Sequence, residues 1–209
     1  MQIDLKILTP RGQIVRDIGR AIEKHMTKSL SGIGPKIEKR ARLLIHSALM
    51  NSPVVSSLES GELKGELGVV NASSDLFQIF KSIADETKVT TSKPRFSSNG
   101  MNFTLRLTAV PIDLDSVIAG LGSYTTKKGA EIPWFQWLTE LGDAVIVRDY
   151  VAETGHPKVS RTGDKIMVKA KGGWRVPPQF AGIKGDNFVT KATDEILPEL
   201  ENFIKKEIA

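Results

Sequence analysis

His156, in Glu153-Thr154-Gly155-His156-Pro157, is the residue best suited by type to do chemistry, since an imidazole near Asp149 and Glu153 could act as the general base of a small hydrolase. A site needs nucleophile, base and orienting group held in fixed geometry, and one His with two carboxylates in a turn is more simply a solvated loop. His25 and His46 fall in helical stretches and lack metal-ligand spacing to each other. Gly61-Glu62-Leu63-Lys64-Gly65-Glu66-Leu67-Gly68 has the wrong spacing for a phosphate-cradling loop, and Gly163-Asp164-Lys165 reads as a hairpin turn. The expectation is a non-enzymatic chain with no cofactor and no metal.

Two other features suit contact rather than catalysis. Lys171 to Asp186 is rich in Gly and Pro and reads as an extended arm, because Pro177-Pro178 removes two backbone donors and cannot lie within a central strand. Trp174, Arg175, Pro177, Pro178 and Phe180 are the expected interface residues on it, Trp and Arg being common anchors; an internal strap is the other reading. The second feature is a basic surface at Arg16, Arg20, Lys24 and Lys28. Trp134 and Trp137, three residues apart on one short helix, read as core.

Composition narrows what these features can mean. The chain has 209 residues, no Cys, 40 % hydrophobic content and a net charge of +5, with a pI near 9.4 and mean hydropathy of −0.14. That is enough apolar material for one domain with elaborations. Disulfides and thiolate sites are excluded, and no apolar run approaches bilayer length, so a soluble protein with no membrane partner is expected. Residues 1–50 hold ten Lys or Arg against four acids, a surplus of six. A helical face of that kind tracks phosphates or meets an acidic partner subunit, and the latter, or plain solvation, is the commoner case.

The elements that must carry these residues follow from periodicity. Gly12 to Leu30 reads as a helix with Ile14, Val15, Ile18, Ile22, Met26 and Leu30 on one stripe. Ser31-Gly32-Ile33-Gly34-Pro35 predicts a break, with a second helix from about Pro35 to Met50. Pro53 to Leu63 reads as turn-rich, Glu66 to Val70 as a short strand and Asp75 to Ala84 as a brief helix or turn. Asn102 to Val110 alternates as a strand, with Thr87 to Thr91 its antiparallel partner across an Asn99-Gly100 turn. Helices are predicted over Asp113 to Leu121 and Pro133 to Leu141, a strand over Ala144 to Asp149, and a hairpin pairing Val159 with Ile166-Met167-Val168. The closing helix spans about 187–209 and is kinked or divided at Pro198. The whole is one α+β domain over 1–209: a small antiparallel sheet flanked by N-terminal helices and a C-terminal helix, with extended arms.

This order of pieces resembles the neck and tail-completion proteins of tailed phages, the head–tail joining and minor tail group. In that family a helix leads into Pro, small residues, Gly, any residue and Leu, which Pro53, Gly61 and Leu63 match; an aromatic element with Glu before Gly follows, nearly matched by Glu140 and Gly142. The last helix opens on Phe, an aliphatic residue and, three further on, Ala, as Phe188, Val189 and Ala192 do. Ile132-Pro133-Trp134, Ser160-Arg161-Thr162-Gly163 and Ile166-Met167 also look like variants found among virion structural proteins. The loop before Gly61 is longer than the pattern, and Trp174 to Gly182 is added to it. The resemblance implies a virion protein assembled in the host cytoplasm, a homo-oligomeric ring of six or twelve copies meeting neck, connector or tail-tube proteins and passing DNA non-specifically. The second reading is a sequence-independent DNA-binding protein using the basic N-terminal helices.

Overall fold

One helix dominates the architecture: α1 runs from Arg11 to Met50, 40 residues and so about 60 Å at the usual rise. The computed structural model describes residues 10–97, 100–108, 120–155 and 157–208. The break expected at Ser31–Pro35 does not occur, and Pro35 lies inside the helix. An interior Pro costs about 3 kcal/mol, but Leu30 and Ile37 are buried on either side of the interruption. Apolar burial on both flanks holds one axis through a locally unfavourable sequence.

The segment after α1 also departs from the local reading. Pro53–Ser60 forms α2 and Glu62–Leu67 forms α3, where a turn and a short strand were expected. Pro53 occupies the first helical turn, where its missing N–H costs nothing, and Val54, Val55, Leu58, Leu63 and Leu67 are all buried. Ser57 links the two by accepting the Leu63 N–H at 3.1 Å. Gly68 then closes α3 in the left-handed region at φ 67°, and α4 follows over Ala72–Asp85, burying Leu76, Ile79, Phe80 and Ile83.

Among the described residues the antiparallel pairing falls into four separate two-stranded sheets rather than one. β1 (Lys88–Thr91) pairs with β4 (Leu105–Thr108), the pairing that alternation predicts. β2 (Arg95–Ser97) pairs with β3 (Gly100–Asn102), and the Ser92 N–H donates to Thr104 O at 2.8 Å between the two pairs. Residues 88–97 and 100–108 therefore make one long ribbon beside α1. The Asn99 turn position and residues 113–119 of the predicted helix lie outside the described residues.

β5 (Tyr124–Thr125) and β6 (Glu131–Ile132) form a small hairpin ahead of α5 (Trp134–Glu140). β7 (Val147–Thr154) pairs with β8 (Lys165–Trp174), so the partner of Ile166 to Val168 is Val151 to Glu153 rather than Val159. Period-two alternation gives a strand but not its mate, and here the mate is set by which faces reach the core: Val147, Ala152 and Met167 pack on it. α6 (Phe188–Glu195) and α7 (Leu197–Ile208) divide the closing helix beside Pro198. The chain is α+β, with helices at both ends of the sequence flanking antiparallel ribbons.

The main core joins the second half of α1 with α2 to α5, Trp174, Val176 and α6. A smaller cluster of Ile37, Ala41 and Leu200, with Val89, Leu105 and Leu107 against it, seats α7 and the ribbon on α1. No described helix is long and apolar enough to cross a membrane.

Candidate assembly surface

The apolar side chains that α1 contributes to the core lie at Leu30 and beyond. Earlier in the helix, the ribbon tip is what rests on it. Phe96 packs over Gly19, where an added Cβ would fall 2.7 Å from the ring, and the Phe96 N–H donates to Glu23 Oε1 at 2.7 Å. A side chain at position 19 would lift the tip; glycine lets the layers close. The first half of α1 and the ribbon thus form a two-layered arm.

That arm leaves apolar surface open. Val15, Ile18 and Ile22, spaced to share one stripe, are 49 %, 52 % and 38 % exposed. Arg16, Arg20, Lys24 and Lys28 are exposed on the same length of helix, Arg20 making only a surface ion pair with Asp17 at 3.6 Å. The arm, residues 11–30 and 88–108, holds nine Lys or Arg against two acids, a surplus of seven; the rest of the chain, twenty against twenty-two, sums to −2. The charge is segregated by architecture.

The Gly- and Pro-rich segment behaves differently from the arm expected there. Lys171–Trp174 completes β8, and Trp174 is only 5 % exposed. Its indole sits 5.6 Å from that of Trp137, and its Nε1 donates to Glu66 Oε2 at 2.9 Å. Trp174 is therefore a core residue of its own chain rather than an open anchor, because a buried indole N–H needs a carboxylate or carbonyl and Glu66 supplies one. Residues 175–182 cross the surface as a strap: Arg175 and Pro178 are exposed, Pro177 and Phe180 half-buried, with Phe180 packed against the core.

Where the strap ends, it builds a second open apolar patch. Leu141 and Ile183 form an isolated antiparallel bridge, reinforced by the Gly142 N–H donating to Gly182 O at 2.9 Å. Ile183 and Asp186 exchange two backbone bonds of 3.0 Å, closing a tight turn that Gly185 permits at φ 88°. Asn187 braces the turn by donating to Ile183 O at 3.2 Å and Thr139 O at 3.1 Å. Leu141, Val145 and Ile183 stay 38–54 % exposed. None of these three was singled out by its sequence context, since the bridge unites positions 42 apart; the one signal was Gly182, whose absent side chain lets the strap approach Leu138 O.

The residues considered for chemistry do not converge. His156 lies outside the described residues. His25 is exposed on the arm, and His46 stands edge-on to Phe77 at 5.1 Å. Asp149 sits at the irregularity between β7 and β8 with φ 58°. Among the described residues no three His, Asp or Glu side chains gather as a metal site would require. The charged cluster between α3 and β8 is structural: Lys165 Nζ lies 2.9 Å from the largely covered Glu66 Oε1 and 3.8 Å from the exposed Glu62. Burial draws the Lys165 value down, but the Glu66 hydrogen bond and the charges of Glu66, Glu62 and Asp164 outweigh it and the net shift is upward.

Comparison of the chain with family models, curated proteins and solved structures gives no match.

Proposed function

We propose that this chain is a structural subunit of a tailed-phage virion, forming a homo-oligomeric ring in the neck or at the head-proximal end of the tail and joining head to tail. The resemblance carried by Pro53, Gly61, Leu63, Phe188, Val189 and Ala192 supplies the family. The observation that carries the assembly role is the arm: a helix end backed, among the described residues, by a narrow ribbon, with Val15, Ile18 and Ile22 half open to water. Stripes of this kind gain stability when a partner covers them. The mechanism is geometric, each subunit reaching its neighbours and burying what it cannot bury alone. Mass measurement under native conditions tests it, together with imaging of particles: a closed oligomer occupying one layer between head and tail is expected. A monomeric chain absent from virions would sink the proposal.

The surplus of seven positive charges on the arm favours a second reading, sequence-independent DNA binding through the phosphate backbone. It predicts affinity that falls steeply with salt, and a shallower dependence once Arg16 and Arg20 are neutral. Free subunits of a purely structural ring protein would show no such binding.

A further inference from the structure

We propose that the solvent side of the ribbon binds single-stranded DNA, with phosphates along β1–β4 and a base held at the joint between β1–β4 and β2–β3. This rests on the second reading above and narrows it to the ribbon and to one strand. Three features of the molecule carry it.

The first is the chemistry of the outer face. Val89, Leu105 and Leu107 turn towards α1, so the alternate positions Lys88, Thr90, Arg106 and Thr108 point to water, and all four are exposed. Ser92 and Thr104 continue the row, the Thr104 N–H donating to Ser92 Oγ at 2.7 Å. Residues 88–108 contain no Asp or Glu. Among the described residues Lys93, Arg95 and Arg106 make no ion pair, and Lys88 reaches Glu86 at 3.9 Å. A protein partner needs apolar side chains at the centre of its contact, and this row offers none. Surfaces that meet nucleic acid are polar and positive, with Arg, Lys, Ser, Thr and Asn side chains on phosphate oxygens.

The second is the joint. Ser92, Lys93, Arg95, Asn102, Phe103 and Thr104 line an open hollow of about 600 Å³ there. Phe103 is half-buried yet packs on neither apolar cluster. It is the one aromatic ring of the hollow, and Lys93 and Arg95 beside it are exposed. A ring that stacks a base, flanked by cations for the adjoining phosphates, is how single strands are held without sequence preference. A base inside a duplex is already stacked on its neighbours and does not reach such a ring.

The third is rigidity. Pro94, between the two cations, is buried and fixes its own φ. The Ser92 N–H bond to Thr104 O spans the joint at 2.8 Å, and Phe96 is pinned over Gly19 with its N–H on Glu23. The hollow is therefore shaped before a strand arrives, which lowers the ordering cost of binding.

Fluorescence anisotropy of the full chain with a labelled oligo(dT) strand, and with a mixed-sequence duplex of the same length, tests the site. The strand should bind more tightly than the duplex. Lys93→Gln with Arg95→Gln should weaken strand binding and lower its salt slope by about 1.4, roughly 0.7 for each phosphate contact. Phe103→Leu, which keeps an apolar side chain, should weaken strand binding about 5- to 150-fold and leave the salt slope and the duplex unchanged. Circular dichroism checks the fold of both variants. Irradiating the parent chain with a strand carrying 5-bromouracil should attach it to the peptide that holds Phe103, a readout that needs no variant. A duplex bound as tightly as the strand overturns the single-strand assignment. Strand affinity unchanged in both variants, with cross-links elsewhere, overturns the ribbon site; if that affinity is then lost on neutralising Arg16 and Arg20, the DNA-binding reading stands on α1 alone. No binding of either probe at low salt overturns both.

Discussion

The indole of Trp174 and the ammonium of Lys165 share one carboxylate: Nε1 donates to Glu66 Oε2 and Nζ lies against Oε1, each at 2.9 Å. Two ends of β8 are thereby tied to a single residue of α3. The hairpin β7–β8, already packed on the core through Val147, Ala152 and Met167, is thereby also held by polar bonds at its base and towards its turn.

Trp174→Ala should cost about 3–5 kcal/mol, the range for deleting a large buried aromatic. Glu66→Gln should cost about 1–3 kcal/mol by leaving a largely covered Lys165 without its carboxylate. Urea unfolding of the isolated subunit measures both. Had Trp174 been an anchor for a neighbour, subunit stability would hold and only assembly would suffer.

The same cluster sets an alkaline limit. Lys165 titrates above its ordinary value of 10.5 in the folded chain. A raised folded-state value means its stabilisation is fully present below 10.5, the unfolded-chain value, and drains away as pH climbs from there through the folded value. Urea midpoints taken between about pH 9 and 12 should fall, and Lys165→Met should flatten that fall relative to the parent.

Asn187→Ala should destabilise the chain by about 1–2 kcal/mol through loss of the α6 cap. Its side chain accepts from Val189 N at 3.0 Å and Thr190 N at 3.2 Å, and Thr190 Oγ1 accepts the Asn187 N–H in return at 2.9 Å. Because the same amide holds Ile183 O, amide exchange should speed up at Val189 and Thr190 and also around the 183–186 turn. Exchange confined to α6 would show that the turn stands without it.

Gly32→Ala and Gly34→Ala should each stabilise α1 by about 0.5–1 kcal/mol, since nothing lies within 4 Å of a Cβ added at either position. Pro35→Ala should add up to about 3 kcal/mol. Thermal melting measures all three.

Much of the architecture can be read in the residues themselves. The apolar stripe and basic flank of α1, the β1–β4 pairing and the division of the closing helix near Pro198 follow from period and from proline chemistry. Reading fails where burial overrides local preference. Pro53 to Leu67 looks like a turn and strand because Val, Ser and Gly favour neither state strongly, and five buried aliphatic side chains decide for helix. Ser31 to Pro35 looks like a stop for the same reason, in reverse. Of the candidate surface, the arm was visible as Arg16 to Lys28 with Ile18 and Ile22 between. The Leu141–Ile183 patch was not, because its members meet only through a two-residue bridge, and Trp174 was misplaced because its partner Glu66 lies 108 residues away.

The sequence Gly32-Ile33-Gly34-Pro35 gives α1 uneven stiffness along its length. At Pro35 the Ser31 carbonyl loses its usual amide donor, and the two glycines nearby lower the local helix propensity with nothing packed within 4 Å of either Cβ position. The compliant section falls near the boundary between the half anchored in the core and the half that reaches outward. A sideways load on the outer half is absorbed there, as in a beam with a thinned waist. In the ring proposed above, subunits would then tilt their arms to close the circle without straining the cores behind them.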